Sequence, residues 1–274
     1  MDLTRIPHKT TLPSLPFSRR AGLALLPFSL LLALLLWSLL VKVGNFPDFF
    51  LPAPALVWDR FLEALGDGRL LRHTAATLGE TLAGLGLGVS AATVLGYTLA
   101  KSRPLERLLS PYIVASQSVP TVAIAPLLIL WFGPGQLSKV LICALMVFFP
   151  VLVNTVVGLR SVPDELYDLM RSMGASRADM VRHLEIPASL PIFLGGLRVG
   201  ATLSVIGAVV GEFVGADRGL GFLINSARGQ YDTALVFVAV FTLVAMALAL
   251  YGLVVLAEAR LLSWRRRSEG PAVS

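Results

Sequence analysis

Residues 164–187, DELYDLMRSMGASRADMVRHLEIP, form a charged island between two long apolar runs. Leu166, Leu169, Met170 and Met173 recur at i, i+3, i+4 and i+7, which gathers them on one face of a short helix. Gly174 is expected to end that helix, because glycine takes the left-handed C-terminal position without a Cβ clash. Ser176 opens a second helix with Asp179 three residues on, a short form of the capping box. Met180, Val181 and Leu184 carry its apolar face, and Pro187 is expected to stop it. Taken locally, the pattern suits an ordinary surface hairpin as well as a docking site for a soluble partner.

Outward from the island the chain is membrane-like. Of its 274 residues 55% are hydrophobic and 15% charged, too apolar for a soluble domain of this size. Six apolar runs, 21–41, 77–100, 112–132, 137–159, 193–214 and 234–256, are long enough to cross a hydrocarbon core of roughly 30 Å. The first is too long for the core of a cleaved signal peptide, and no small-x-small site follows it. A polar tail, 1–20, precedes the apolar domain 21–258, and a basic tail, 259–274, follows it. Between the first two runs, Val57, Phe61, Leu62 and Leu65 describe a short interfacial helix over 56–65.

Lysine and arginine set the orientation. With the N-terminus in the cytoplasm, the inside segments hold fifteen of them and the outside segments seven, Lys139 and Arg218 among the latter. Both termini and the island are therefore expected inside the cell. The net charge of +6 is accounted for by this bias, so no nucleic-acid partner is implied.

An acidic residue, a glycine six positions later and an apolar-x-apolar-Pro ending thirteen positions beyond the glycine form the EAA loop of permease subunits in ATP-binding cassette importers. Here these are Asp168, Leu169 and Met170, then Gly174, then Leu184, Ile186 and Pro187, within a loop spanning 160–190. The resemblance runs over 51–267, with Asp in place of the usual Glu and Leu-Met in place of Ala-Ala. NTVVGLRSVPDEL (154–166) and GEFVGADRGLGFLI (211–224) resemble the nitrate, sulfonate and taurine branch, and within it the riboflavin and hydroxymethylpyrimidine permeases.

The runs carry further signals. Gly84, Gly88 and Gly96, and then Gly196, Gly200, Gly207, Gly211 and Gly215, follow spacings that let helices pack backbone to backbone. Pro120 and Pro126 interrupt the third run, as in a kinked helix beside a translocation path. Charges inside the runs are few: Glu212 is a candidate gate or subunit-interface group, Arg198 a snorkelling residue and Glu80, near His73, an interfacial one. The chain has no phosphate loop, no paired carboxylates, no nucleophile elbow and no histidine cluster. Its one cysteine, Cys143, lies in an apolar run. No catalytic residue, metal site or cofactor is expected.

The resemblance implies an all-α, six-span, type I importer (MetI-like) fold in the bacterial inner membrane. It also implies partners: cytoplasmic ATPase subunits that hydrolyse ATP, an extracytoplasmic solute-binding protein, and a second permease copy within the lipid. The implied cargo is riboflavin or hydroxymethylpyrimidine, with sulfonate, taurine or nitrate as the alternative. An ion-coupled secondary transporter is the reading from another class, and it would need intramembrane carboxylates in two repeated halves, for which only Glu80 and Glu212 are available.

Overall fold

A computed structural model describes residues 19–264, all helix and connecting turn. The sequence assignments to 1–18 and 265–274, including Arg5, Lys9, Arg265, Arg266 and Arg267, lie outside the described residues. The chain divides into two compact units, before and after residue 55.

The first unit is α1 (Arg19–Gly44), whose leucines between Leu30 and Leu40 face outward, followed by a turn in which Phe46 and Phe50 meet at 5.4 Å between ring centres. The second begins with α2 (Pro54–Gly66), α3 (Arg69–Lys101), α4 (Arg103–Gln117), α5 (Thr121–Phe132) and α6 (Gln136–Arg160). The charged island supplies α7 (Asp164–Ser172), α8 (Arg177–Met180) and a π turn (Val181–Glu185). Then come α9 (Ile186–Gly215), α10 (Leu220–Gly229) and α11 (Thr233–Leu261).

Three helices make the core of the second unit: α3 and α9 both lie against α6. The small residues explain how closely. A Cβ on Gly88 would stand 2.6 Å from the Ala144 carbonyl oxygen, and one on Gly207 would stand 2.8 Å from the Cα of Cys143. Backbones this close gain dispersion energy that bulkier side chains would forfeit, the main attraction left to helices in lipid. Toward the charged island Ala92, Leu99, Val147, Val151 and Leu152 fill the seam between α3 and α6.

Among the described residues five helices are able, by length and composition, to cross a membrane, and the bent pair α4 and α5 makes a sixth span if counted as one. That pair is where the third run departs from expectation. It is two helices set at 95°, and the break falls at Pro120 alone. Pro126 stays inside α5, as a proline in a membrane helix does when neighbours accommodate the freed carbonyl. Pro187 also differs from its expected role as a stop. It sits in the first turn of α9 directly after the π turn, whose wider loop accommodates the proline ring and its missing N–H, and the chain runs on from Arg177 to Gly215.

Candidate coupling surface and buried polar cluster

The two ends of α6, about 37 Å apart at 1.5 Å per residue, carry the two groupings of functional side chains. At the Arg160 end lies the island. Pro163 and the acidic pair Asp164 and Glu165 start α7, which suits the positive end of a helix dipole. On α7 Leu166, Leu169 and Met173 point outward, 40%, 55% and 74% exposed, while Met170 is half-buried. Asp168 is exposed and, among the described residues, pairs only with Arg171, at 2.9 Å. Gly174 takes φ 75°, and the Gly174 and Ala175 N–H groups donate to the Arg171 and Met170 carbonyls, each at 3.0 Å. This is the left-handed helix end expected of Gly174.

Ser176 then caps α8. Its hydroxyl donates to the Asp179 carboxylate at 2.6 Å, and its backbone N–H donates there at 3.0 Å. These two bonds to the charged form hold the Asp179 carboxyl below the ordinary aspartate value. The π turn rotates the chain so that Glu185 points inward, 3% exposed, while Ile186 stays half exposed and Leu184 and Pro187 half-buried. Glu185 meets Lys101, the last residue of α3, at 2.5 Å. The same ammonium lies 5.0 Å from the Tyr167 ring of α7 and 5.7 Å from the Tyr97 ring of α3. One lysine thus ties the outward-facing α7 to α3 and to the start of α9.

At the Gln136 end the polar groups turn inward. Lys139, in the first turn of α6, and Glu80, on α3, pair at 2.8 Å with side chains 3% and 2% exposed. Beside them Glu212 of α9 accepts from the Thr77 hydroxyl at 2.6 Å and from the Gly221 N–H at 2.5 Å. Thr77 accepts from the Leu220 N–H at 2.7 Å, and His73 Nδ1 from the Gly219 N–H at 3.0 Å. The opening N–H groups of α10 are therefore satisfied by α3 and α9 side chains. Gly219, at φ 116°, is required here, because a Cβ would run into the Glu212 carboxylate.

The structure brings Asp168, Leu169, Met170 and Gly174 onto one short hairpin and places Leu184, Ile186 and Pro187 at its return into α9. Glu212 stands at the far end, and the Pro120 break lies between. Two charges differ from their assignments. Lys139, counted among the outside residues, is buried, and Glu80 is its partner rather than an interfacial group. In a low-dielectric core each offsets the other's desolvation. Arg198 does not snorkel alone: it pairs with Glu258 of α11 beside the Tyr251 ring. Lys101, Tyr167, Thr77 and Lys139 carry much of this geometry, and no local sequence pattern marks them. Among the described residues no group of three or more His, Cys, Asp or Glu is placed to hold a metal ion.

Residues 84–263 match the model of the family described as binding-protein-dependent transport system inner membrane component. The chain is 50% identical to a riboflavin transport system permease protein of Chloroflexus aurantiacus, over 87% of this chain and 89% of that one. It is 34% identical to a formylaminopyrimidine transport permease protein of Halalkalibacterium halodurans, over 86% and 94%. To a taurine transport system permease protein of Escherichia coli it is 33% identical, over 86% and 87%. Among solved structures it resembles an inward-facing conformation of the MetNI methionine ABC transporter, at TM-score 0.56 and 20% identity, covering 68% of this chain and 94% of that one.

Proposed function

The chain belongs to the inner-membrane components of binding-protein-dependent transport systems, and on that premise we propose that it forms the membrane path of a riboflavin importer driven by ATP. The observation that carries the cargo assignment is the 50% identity, over most of both chains, to a permease named for riboflavin. Two copies of the chain enclose the path, and each 160–190 loop faces the cytoplasm, where an ATPase subunit binds it. A solute-binding protein presents cargo at the opposite face. ATP is hydrolysed in the partner, and the chain contributes movement only.

The coupling contact is the exposed stripe of Leu166, Leu169 and Met173, with Met170, Leu184, Ile186 and Pro187 behind it and Asp168 at its polar edge. Closure of the ATPases pushes α7, and Lys101 passes the displacement to α3 and α9. At the outer end Glu212 holds α10 to α3 and α9, so it serves as the fastening of an outer gate. Pro120, at the break, allows α4 and α5 to change their angle beside the path, and Pro126 gives α5 a weak point of its own.

The test is uptake of labelled riboflavin in cells lacking their own uptake route, with and without this permease, its ATPase and its binding protein. Uptake that requires all three is the expected result. A fully assembled complex that takes up no riboflavin would refute the cargo and direct the same assay to pyrimidine precursors, then to sulfonates, taurine and nitrate.

A further inference from the structure

The angle between α4 and α5 opens a cavity of about 430 Å³ against α6 and α9. Its size lies within the roughly 300–1,000 Å³ of small-molecule sites. A 95° bend inside an apolar run ends the regular ladder of α4, and its last carbonyls turn to short-range partners, Ala115 to the Ser118 N–H at 3.1 Å and Ser116 to the Val119 N–H at 3.3 Å. Backbone of this kind survives there only where protein or water meets it, which makes a broken span a mark of a solute path.

Five side chains give the cavity its chemistry. Phe149 and Met146 of α6 offer an aromatic face and a thioether, groups that pack on a planar ring. Ser116 of α4 lines the same wall, with its hydroxyl spent on the Ile113 carbonyl. Asn154 of α6 donates from Nδ2 to the Pro150 carbonyl at 2.8 Å, which fixes the amide and leaves Oδ1 as a directed acceptor. Across α9 this amide sits over Gly196, where an added Cβ would stand 2.6 Å from the Asn154 Cβ, so the side chain has little room to turn away. Neither Asn154 Oδ1 nor the Thr121 hydroxyl has a hydrogen-bond partner among the described residues. Open polar groups in such a place favour a guest that brings the complementary pair.

We infer that this cavity is the transit site for the cargo, and that Asn154 reads an N–H on the edge of a planar heteroaromatic ring held against Phe149. Thr121 supplies the hydroxyl for the adjacent ring carbonyl. The inference rests on the riboflavin reading and adds to it the residues that select the ring. The imide edge of the isoalloxazine offers that N–H between two carbonyls. A sulfonate or nitrate offers no donor for Asn154 and no ring for Phe149. Affinity at such a site is modest, since a guest must leave as readily as it enters.

The experiment compares uptake of riboflavin and of riboflavin methylated at its imide nitrogen, in cells carrying the full complex with wild-type permease, Asn154→Ala, Asn154→Gln or Phe149→Leu. The permease in the membrane is quantified each time. Wild type is expected to prefer the unmethylated vitamin by about tenfold, the worth of one hydrogen bond to the otherwise unpaired Asn154 Oδ1. In Asn154→Ala the KM for riboflavin rises by a similar factor and the preference falls toward one. Asn154→Gln restores part of it. Phe149→Leu raises the KM for both compounds alike. An Asn154→Ala permease that keeps the wild-type preference overturns the site and leaves the riboflavin reading standing. Wild-type cells that take up neither compound overturn the cargo and the site together.

Discussion

Around Lys139 the first turn of α6 meets a closed set of buried partners, whereas beyond Arg160, at its other end, α7 turns Leu166, Leu169 and Met173 outward. Apolar side chains left uncovered on a polar loop and charged side chains hidden among apolar helices both invert the usual arrangement. The inversion is informative in each case. Lys139 is paired with Glu80, and Glu212 is held by hydrogen bonds from Thr77 and Gly221, so their task is internal: they fix α3, α6, α9 and α10 to one another. The uncovered apolar face has no covering element among the described residues, and it suits a partner that the chain does not itself supply.

Breaking the closed end should have the largest effect. Lys139→Ala leaves the Glu80 carboxylate, 2% exposed, without its ion partner. Removing one member of a buried pair costs on the order of 3–5 kcal/mol, while replacing both by apolar residues is often close to neutral. Lys139→Ala should therefore lower the amount of folded permease in membranes severely, and the double variant Glu80→Leu with Lys139→Leu should restore most of it. Quantified membrane fractions and a thermal-shift measurement of the purified complex check this. Equal loss in the single and double variants would show that the pair does more than hold helices together.

The open end should break differently. Gly174→Val forces a β-branched residue into φ 75°, a strain of about 1–2 kcal/mol that the hairpin relieves by changing shape. The permease should still reach the membrane in normal amount, because Gly174 packs on nothing there. Uptake should drop by about tenfold, a factor that roughly 1.4 kcal/mol supplies, while ATP hydrolysis by the partner continues. Uptake at the wild-type rate would mean that the hairpin's shape is not what transmits force.

The sequence makes one of these ends far more legible than the other. The hairpin is local: Leu166 to Met173, Gly174, Ser176 and Asp179 lie close together in the chain, so period, break and cap are all visible in order. Even there Pro187 misleads, because a π turn resets the helix just before it. The buried cluster joins residues 59 and 135 positions apart, Glu80 with Lys139 and Thr77 with Glu212, and no period connects them. A lysine early in an apolar run looks like a loop residue by the same rule that orients the spans. The glycine spacing of α3 and α9 did foretell close packing, but not that both helices converge on α6 at Cys143.

The smallest effect belongs to the cap of α8, and it sharpens the contrast because it involves an ionised group in the open. Asp179 is held below the ordinary aspartate value by Ser176, first through the hydroxyl and then through the backbone N–H. A lowered folded-state pKa means a contribution that is fully present above the unfolded value, about 3.9, and lost as pH falls through the lowered one. Asp179 should thus stay charged across the whole range in which uptake is measurable, and Asp179→Asn should shift uptake by less than about twofold, the scale of exposed cap and dipole effects. The ratio of mutant to wild-type uptake should be flat between about pH 5.5 and 8, well above that titration. A ratio that changes with pH in this window would place the titration higher than the two Ser176 bonds allow, and the cap would then be open in the working complex.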